Sequence, residues 1–317
     1  MCYSAQVRAS YKRYVREFGA DVSIKQFFKL YWDRSQGAKV RIPKAVDAAF
    51  AEPETDEERQ IKVLIDSYNV TQTTKLEQEL FKQRKRLADA ERTLQTKTTK
   101  AALESKRIAT DKVEWCLGKL SDLRRTELND EDHRIFPGWY APVLVERAGR
   151  HLVVPMRYQC RLAGKPSFYD TKFPGTYNAR RDNLEGFWKE QFGSHHAIMV
   201  ATAFFENVSR HRMEGRELRD GEKEENVILE FRPRPTEEML VACLWSHWQE
   251  GDESLLSFAA ITDEPPAEVA AAGHDRCIIP IKRENVDAWL DPRGDVLQAY
   301  SILDDRWQPY YEHRLAA

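Results

Sequence analysis

The sequence has few cysteines, and none of them forms a CxxC pair. Disulfide-rich secreted domains and cysteine-rich zinc domains depend on closely spaced pairs, so both classes are excluded. Unpaired cysteines are typical of a reducing compartment, and we expect a cytoplasmic protein. The five lie far apart, at Cys2, Cys116, Cys160, Cys243 and Cys277.

Long apolar runs and a strong net charge are also absent. No run reaches the roughly 18 apolar residues that a membrane-spanning helix needs, and no basic, apolar signal segment opens the chain. We therefore expect neither secretion nor membrane insertion. The 49 Lys and Arg residues nearly balance 51 Asp and Glu, so a nucleic-acid site would be a local basic patch.

Proline and glycine are scarce from about Glu54 to Asn129, where Gly118 is the only helix breaker. A seven-residue apolar repeat predicts a narrow stripe on one long helix, or on a hairpin that folds back near LQTKTTKAA. Such a segment is typical of an insertion, so we assign residues 53–130 to an inserted arm and expect residues 56–128 to bind any protein partner. The repeat consists of Leu80, Leu87, Leu94, Ala101, Ile108 and Trp115.

The segments on either side of this arm have different patterns. Residues 3–50 are basic and aromatic, and SIKQFFKLYWDR has the spacing of an amphipathic helix, so one or two short helices are expected there. From His133 onward the patterns predict strands, with helices at about 183–191 and from Glu284 to before Pro292. The predicted strands are APVLV, HLVVPMRYQC, HAIMVATAFFENV, NVILEFRP, MLVACLWSHWQ, SLLSFAAIT and CIIPI.

These patterns together predict an α+β fold with a mostly antiparallel β core and short helices. Residues 1–52 and 131–317 would form one catalytic domain, interrupted by the long helix or helical hairpin of residues 53–130.

The opening MCYSAQV places a cysteine after the initiator methionine. Removal of Met1 is expected before a small residue and would leave Cys2 with a free α-amine beside its thiol. The amine titrates near ~8 and the thiol near ~8.5, so both are partly nucleophilic at neutral pH. From this stretch alone, an incidental residue at a frayed terminus is the simpler interpretation.

Three later stretches put polar groups beside apolar strands. TYNAR contains Asn178 and Arg180, and an asparagine there either turns the backbone or orients a reacting group. VATAFFENV ends a strand with Glu206, whose pKa would rise toward that of a general acid if aromatic side chains enclosed it. GHDRCIIP places His274 ahead of an apolar strand.

In this order after an N-terminal cysteine, these stretches resemble the SRAP (SOS response-associated peptidase) family. The resemblance covers Cys2 and residues 133–295 and leaves the helical segment as an unshared insertion. Members crosslink covalently to abasic sites in single-stranded DNA, so a barrel-like core and a role in the DNA damage response are implied. The matched stretches are FPGWYAPVLV, VPMRYQ, NARRDN, ATAFFENV and AAIT with GHDRCIIP.

The resemblance also implies a role for each matched residue. The Cys2 amine would form an imine with the open sugar, and its thiol would then close a thiazolidine. Glu206 would act as general acid or base, His274 would protonate or stabilise the sugar oxygen, and Asn178 would hold the amine or the adduct. The implied DNA contacts are Arg180, Pro137, Tyr158, Trp139, Thr262 and Arg276.

Several positions depart from the family pattern, mainly where members hold DNA. Ser4 stands in place of an arginine, Tyr158 and Asn207 in place of tryptophans, and NARRDN lacks the usual Glu-Thr. For Trp139 and Tyr158, core packing is the alternative to stacking on bases.

Two other functions remain open. In an N-terminal-nucleophile peptidase, Cys2 would attack a carbonyl with its own amine as base. In a non-enzymatic adaptor, the β core would be a scaffold and the helical arm would bind a partner. No cofactor is expected, and no metal, because the adjacent His195 and His196 would point to opposite faces of a strand.

Overall fold

The computed structural model describes residues 3–316. The chain forms two compact units. The first, called the β unit, contains the described residues of 1–30, 39–52 and 129–317. The second, called the helical unit, contains residues 31–38 and 53–128. That the helical unit is an insertion into a catalytic domain stays an interpretation of the sequence.

The described residues contain thirteen β-strands, all in the β unit. They are β1 (Ser4–Val7), β2 (Asp21–Val22), β3 (Arg134–Ile135), β4 (Tyr140–Arg147), β5 (Arg150–Tyr158), β6 (Asn178–Arg180), β7 (His196–Ser209), β8 (Asn226–Arg234), β9 (Met239–Glu250), β10 (Glu253–Asp263), β11 (Cys277–Ile278), β12 (Pro280–Ile281) and β13 (Tyr310–Leu315).

Ten α-helices accompany these strands in the described chain. They are α1 (Tyr11–Phe18), α2 (Ile24–Ser35), α3 (Lys44–Ala48), α4 (Asp56–Thr96), α5 (Lys100–Arg124), α6 (Tyr169–Lys172), α7 (Arg210–Met213), α8 (Ala267–Ala271), α9 (Val286–Leu290) and α10 (Val296–Asp304). None of the described helices is long and apolar enough to cross a membrane.

Five strands close into a barrel. The order β9-β10-β5-β4-β7 returns to its start because β7 pairs with both β4 and β9. Most pairs are antiparallel, but β10 runs parallel to β5 and β6, and β2 runs parallel to β5. The predicted α+β class with a mostly antiparallel, barrel-like core is confirmed.

The interior of the barrel holds side chains from all five strands. Val143, Val154, Met199, Val241 and Phe258 are fully buried in one apolar cluster. Many strand residues that point the other way are buried as well, because helices and loops cover the outer face. Burial on both faces explains the continuous apolar runs in the sequence, where a half-exposed strand would alternate.

The prediction of a helix at residues 183–191 is wrong. Most of this segment forms consecutive turns. The backbone carbonyl of Asn183 accepts hydrogen bonds from Gly186 and Trp188, and its side-chain oxygen accepts one from the Phe187 amide. An asparagine that captures these amides favours turns over a regular helix. The helix predicted after Glu284 is present as α9.

The helical unit is built around the antiparallel hairpin of α4 and α5. Thr55 and Glu58 form a capping box at the start of α4, and Thr99 caps α5. Ion pairs from Arg124 to Glu77 and from Lys106 to Glu91 connect the two helices in antiparallel register. The predicted fold-back near LQTKTTKAA is therefore present, between Thr96 and Lys100.

The seven-residue repeat predicts the packed face of α4 but not that of α5. Leu80 is buried, and Leu87 and Leu94 are half-buried, as expected. In α5 the buried positions lie one residue later than predicted. The non-helical turn between α4 and α5 interrupts the repeat, so the seven-residue spacing does not continue from one helix into the next. They are Ala102, Ala109 and Cys116 in place of Ala101, Ile108 and Trp115.

Candidate functional site

Glu206 lies on β7 with no exposed surface. Strand β1 pairs with β7 so that Ser4 is opposite Phe205, which brings the first described residues beside Glu206. Burial raises the pKa of Glu206 well above its usual value, since a charged carboxylate loses its hydration there. A hydrogen bond from the Tyr3 backbone opposes this shift in pKa, and Asp275 adds to it. The protonated carboxyl is therefore favoured.

His274 faces this carboxyl. Its Nε2 lies 3.3 Å from Glu206 Oε2. Its Nδ1 lies 2.8 Å from the carbonyl oxygen of Arg276. The Arg276 amide is farther from the same nitrogen, at 3.3 Å, so we assign the proton to Nδ1. Nε2 is then left as an acceptor toward Glu206.

Burial also lowers the pKa of His274. Both pKa shifts act toward the neutral forms, so burial favours a neutral acid–base pair over an ion pair. A protonated carboxyl beside an accepting imidazole can give a proton to a reacting group and take it back. This pair therefore has the composition of a general acid–base catalyst.

Asn178 is buried on β6 and offers a further polar group. Its Oδ1 accepts a hydrogen bond from the Tyr158 hydroxyl at 3.5 Å, whereas its Nδ2 has no hydrogen-bond partner among residues 3–316. The register of β6 with β10 puts Thr262 on the same face, and its buried Oγ1 also has no partner in the described chain. An unsatisfied buried polar atom costs about 1–3 kcal/mol, so these two atoms are suited to a bound ligand.

Two arginines connect the strand of Asn178 with the loop of His274. Arg180 Nε donates to Asp182 at 3.1 Å, and Arg276 Nη2 lies 3.8 Å from the same carboxylate. Arg180 is exposed, whereas Arg276 is mostly buried. The carboxylate of Asp182 is shared by two guanidinium groups, and Asp275 adds a second negative charge near Arg180. A phosphate contact there would use the exposed Arg180 guanidinium. The sequence prediction included both arginines but not Asp182.

The two aromatic residues expected to contact DNA lie in different environments. Tyr158 is fully buried, with ring centroids 5.3 Å from Phe258 and 5.6 Å from Tyr177. Its burial favours core packing over stacking on a base. Trp139 and the neighbouring Pro137 are half-buried at the surface, and stacking by Trp139 stays a prediction.

The predicted nucleophile Cys2 lies outside the described residues. Ser4, two residues later, is buried and accepts a hydrogen bond from Arg134 Nε at 2.9 Å. The Arg134 guanidinium lies 3.7 Å from the ring centroid of Phe205. An arginine therefore reaches Ser4 from β3. The sequence prediction missed Arg134, because only the pairing of β1 with β3 brings it there.

Three solved structures are similar to this chain at low identity. A protein from Bacteroides thetaiotaomicron is 14% identical, with 58% of this chain and 78% of that chain covered and a TM-score of 0.46. A protein from Bordetella bronchiseptica is 14% identical, with coverages of 61% and 90% and a TM-score of 0.45. A phage-related protein from the same organism is 19% identical, with coverages of 61% and 85% and a TM-score of 0.44.

A search of curated proteins found no match. The family model described as SOS response associated peptidase (SRAP) matches residues 41–316. This match covers well over half of the 317 residues and runs from before the helical hairpin through the candidate site to β13. The chain therefore belongs to the SRAP family.

Proposed function

We propose that the protein crosslinks covalently to abasic sites in single-stranded DNA through Cys2, after removal of Met1, and that it acts in the cytoplasm. Membership of the SRAP family supports a role associated with DNA damage in general terms. The observation that carries the specific proposal is the buried pair of Glu206 and His274, 3.3 Å apart, beside the first described residues of the chain.

The first step opens the sugar. The abasic deoxyribose is a cyclic hemiacetal, and Glu206 would give its proton to the ring oxygen as the C1′–O4′ bond breaks. The C1′ hydroxyl would give its proton to the Glu206 carboxylate, so an aldehyde forms and the carboxyl is restored. His274, with Nε2 as an acceptor, would hold the proton that moves between the carboxyl and the sugar.

The second step joins protein and DNA. The α-amine of Cys2 adds to C1′, and loss of one water gives an imine. The thiol then adds to the imine carbon and its proton moves to the nitrogen, which closes a five-membered thiazolidine without any oxidant. Amine and thiol belong to one residue, so ring closure is intramolecular and has a high effective concentration.

The other site residues would hold the reactants. Asn178 Nδ2 and Thr262 Oγ1 offer hydrogen bonds to the adduct, since neither atom has a partner in the described chain. Arg180 is exposed and would contact a phosphate, with Arg276 as a second contact.

Replacing the nucleophile tests the proposal. The wild-type protein should give a denaturant-resistant adduct with uracil-excised single-stranded DNA, and Cys2→Ala should give none on a denaturing gel. Cys2→Ser is a second variant that, like Cys2→Ala, keeps the α-amine but lacks the thiol that closes the thiazolidine. Both variants should give only a reversible imine, which survives denaturation when borohydride reduces it. A Cys2→Ala adduct at wild-type yield would overturn the mechanism.

The two other functions make different predictions. A variant with extra residues before Cys2 has no free cysteine amine and should form no thiazolidine; full adduct yield there would rule that chemistry out. A peptidase would hydrolyse peptides whether or not abasic DNA competes. An adaptor would tolerate Cys2→Ser and would lose function when residues 56–128 are deleted.

A further inference from the structure

The helical unit has a strongly basic end that the proposed chemistry does not use. Residues 82–107 contain nine Lys and Arg against three Asp and Glu, although the whole chain has 49 against 51. They form the end of the α4–α5 hairpin, and we call them the basic tip. The nine are Lys82, Arg84, Lys85, Arg86, Arg92, Lys97, Lys100, Lys106 and Arg107.

All nine side chains are exposed. The three acids of the basic tip neutralise three of them, since Arg92 pairs with Asp89, Lys106 with Glu91 and Arg107 with Glu104. Four others form no ion pair within the described part of the chain: Arg84, Lys85, Lys97 and Lys100. This charge is therefore available to an external anion.

The start of α5 adds to this positive field. Thr99 caps the helix, its Oγ1 accepting from the Ala102 amide at 3.1 Å, and the first turn contains no acidic residue. The N-terminal end of a helix carries a partial positive charge that favours anions. Here it lies between Lys97 and Lys100.

The shape and composition of the basic tip favour an extended polyanion. Its α4 part is about 20 Å long at 1.5 Å per residue. A membrane-binding helix inserts several apolar side chains, but Leu103 is the only large exposed hydrophobic residue of the basic tip. Single-strand binders stack successive bases on several aromatic rings, whereas residues 82–107 contain none and the exposed Phe81 before them is a single ring.

We propose that the basic tip binds the phosphate backbone of duplex DNA without reading its sequence. A duplex carries one charge per about 1.7 Å of axis, so a length of about 20 Å presents roughly a dozen phosphates. This is a second DNA contact, independent of Cys2, and it holds whether or not the protein forms adducts.

The test is binding of the full chain to an undamaged, fluorescently labelled duplex of 25 base pairs, followed by anisotropy. The tip variant combines Arg84→Gln, Lys85→Gln, Lys97→Gln and Lys100→Gln. Its affinity should fall about a thousandfold at 100 mM salt, and the slope of log affinity against log salt should decrease by about 3.5. The control variant removes four charges elsewhere in the hairpin, with Lys62→Gln, Lys75→Gln, Lys112→Gln and Lys119→Gln, and should stay within twofold of wild type.

Other outcomes would overturn this proposal. Unchanged duplex affinity in the tip variant would show that the basic tip does not bind duplex DNA. An equal loss of duplex affinity in the tip and control variants would show that only the net charge of the hairpin matters. If the tip variant lost affinity only for phosphatidylserine vesicles, the basic tip would bind membranes instead. If it lost more affinity for a single-stranded 25-mer than for the duplex, the duplex would not be the preferred ligand. Thermal unfolding should be the same in both variants. Because the duplex has no abasic site, failure here leaves the adduct chemistry untouched.

Discussion

Two histidines of the β unit, the buried His196 and the partly buried His274, differ in what their second ring nitrogen contacts. In His196, Nε2 accepts from the Gly193 amide at 2.9 Å and Nδ1 donates to the Trp289 carbonyl at 2.9 Å. In His274, Nδ1 donates to a backbone carbonyl, but Nε2 faces the Glu206 carboxyl. Burial lowers the pKa of both, that of His196 to about 3.

The comparison shows that burial and a shifted pKa do not by themselves indicate a reactive site. The His196 ring stacks on Trp289, with centroids 4.0 Å apart, and its hydrogen bonds are satisfied by backbone groups that cannot exchange protons. His274 has a partner that can. The carboxyl of Glu206 next to the imidazole of His274 is therefore the feature that marks the proposed site off from the structural contacts of His196.

The largest expected effect is on the rate of adduct formation. Glu206→Gln keeps the shape of the side chain but removes its exchangeable acid proton, so the rate should fall about a thousandfold. A time course quenched with denaturant and resolved on a gel measures it. Glu230→Gln is the control, since Glu230 is a buried glutamate on β8 held by Arg232 and Arg314, and it should change the rate less than threefold. Equal rates in Glu206→Gln and Glu230→Gln would show that the Glu206 carboxyl has no special role in adduct formation.

The second prediction separates stability from chemistry. His196→Ala leaves a cavity under Trp289 and unpaired backbone groups, so it should lower the free energy of unfolding by about 3 kcal/mol. The rate per folded molecule should stay near that of wild type. His274→Gln should do the reverse, slowing adduct formation about thirtyfold with little loss of stability. Urea unfolding measures the stability, and the quenched time course measures the rate of adduct formation. If both variants lost stability and rate to the same extent, the two histidines would not have different roles.

The fold was largely predictable because the five barrel strands and β8 are long and apolar. The hairpin of β4 and β5 and strands β7 to β10 follow directly from apolar runs between turn residues. The four-residue β1 was not predicted, because SAQV has no pattern of its own and becomes a strand only by pairing with β7. The phase of α5 depends on the length of a turn, which no repeat in the sequence reveals.

The residues of the candidate site could be proposed from the sequence, but their contacts could not. The family resemblance supplied Asn178, Glu206 and His274 in chain order. Glu206 and His274 are 68 positions apart, so no local pattern could show that their side chains lie 3.3 Å from each other. Burial of Tyr158 and the approach of Arg134 to Ser4 likewise depend on strand pairing.

The third prediction concerns alkaline stability. Because the folded-state pKa of Glu206 is raised, the folded protein holds a proton that the unfolded chain loses above about pH 4.3. Stability therefore falls as pH rises from there toward the folded pKa. Glu206→Gln lacks this loss, so its melting temperature should exceed that of wild type by at least about 3 °C at pH 8, the shift that roughly 1 kcal/mol gives in a domain of this size. A difference that does not grow between pH 5 and pH 8 would show that Glu206 is charged in the folded state.

The smallest expected effect is on the acid side. His196 stays neutral in the folded protein down to about pH 3, whereas the unfolded chain binds its proton below about pH 6.5. Wild type therefore loses stability as pH falls through this window. His196→Gln does not titrate, so its stability deficit relative to wild type should shrink by about 1.4 kcal/mol between pH 7.5 and pH 5.5. Urea unfolding at the two pH values measures it, and a constant deficit would mean that His196 is protonated in the fold.

The most direct test of the central claim is intact-mass and peptide mass spectrometry after incubation with abasic single-stranded DNA. The proposed chemistry predicts loss of Met1 and a new species whose mass is that of protein plus DNA minus one water, with the modification on Cys2. Absence of an adduct on a chain that has lost Met1, or an adduct on any other residue, would contradict it.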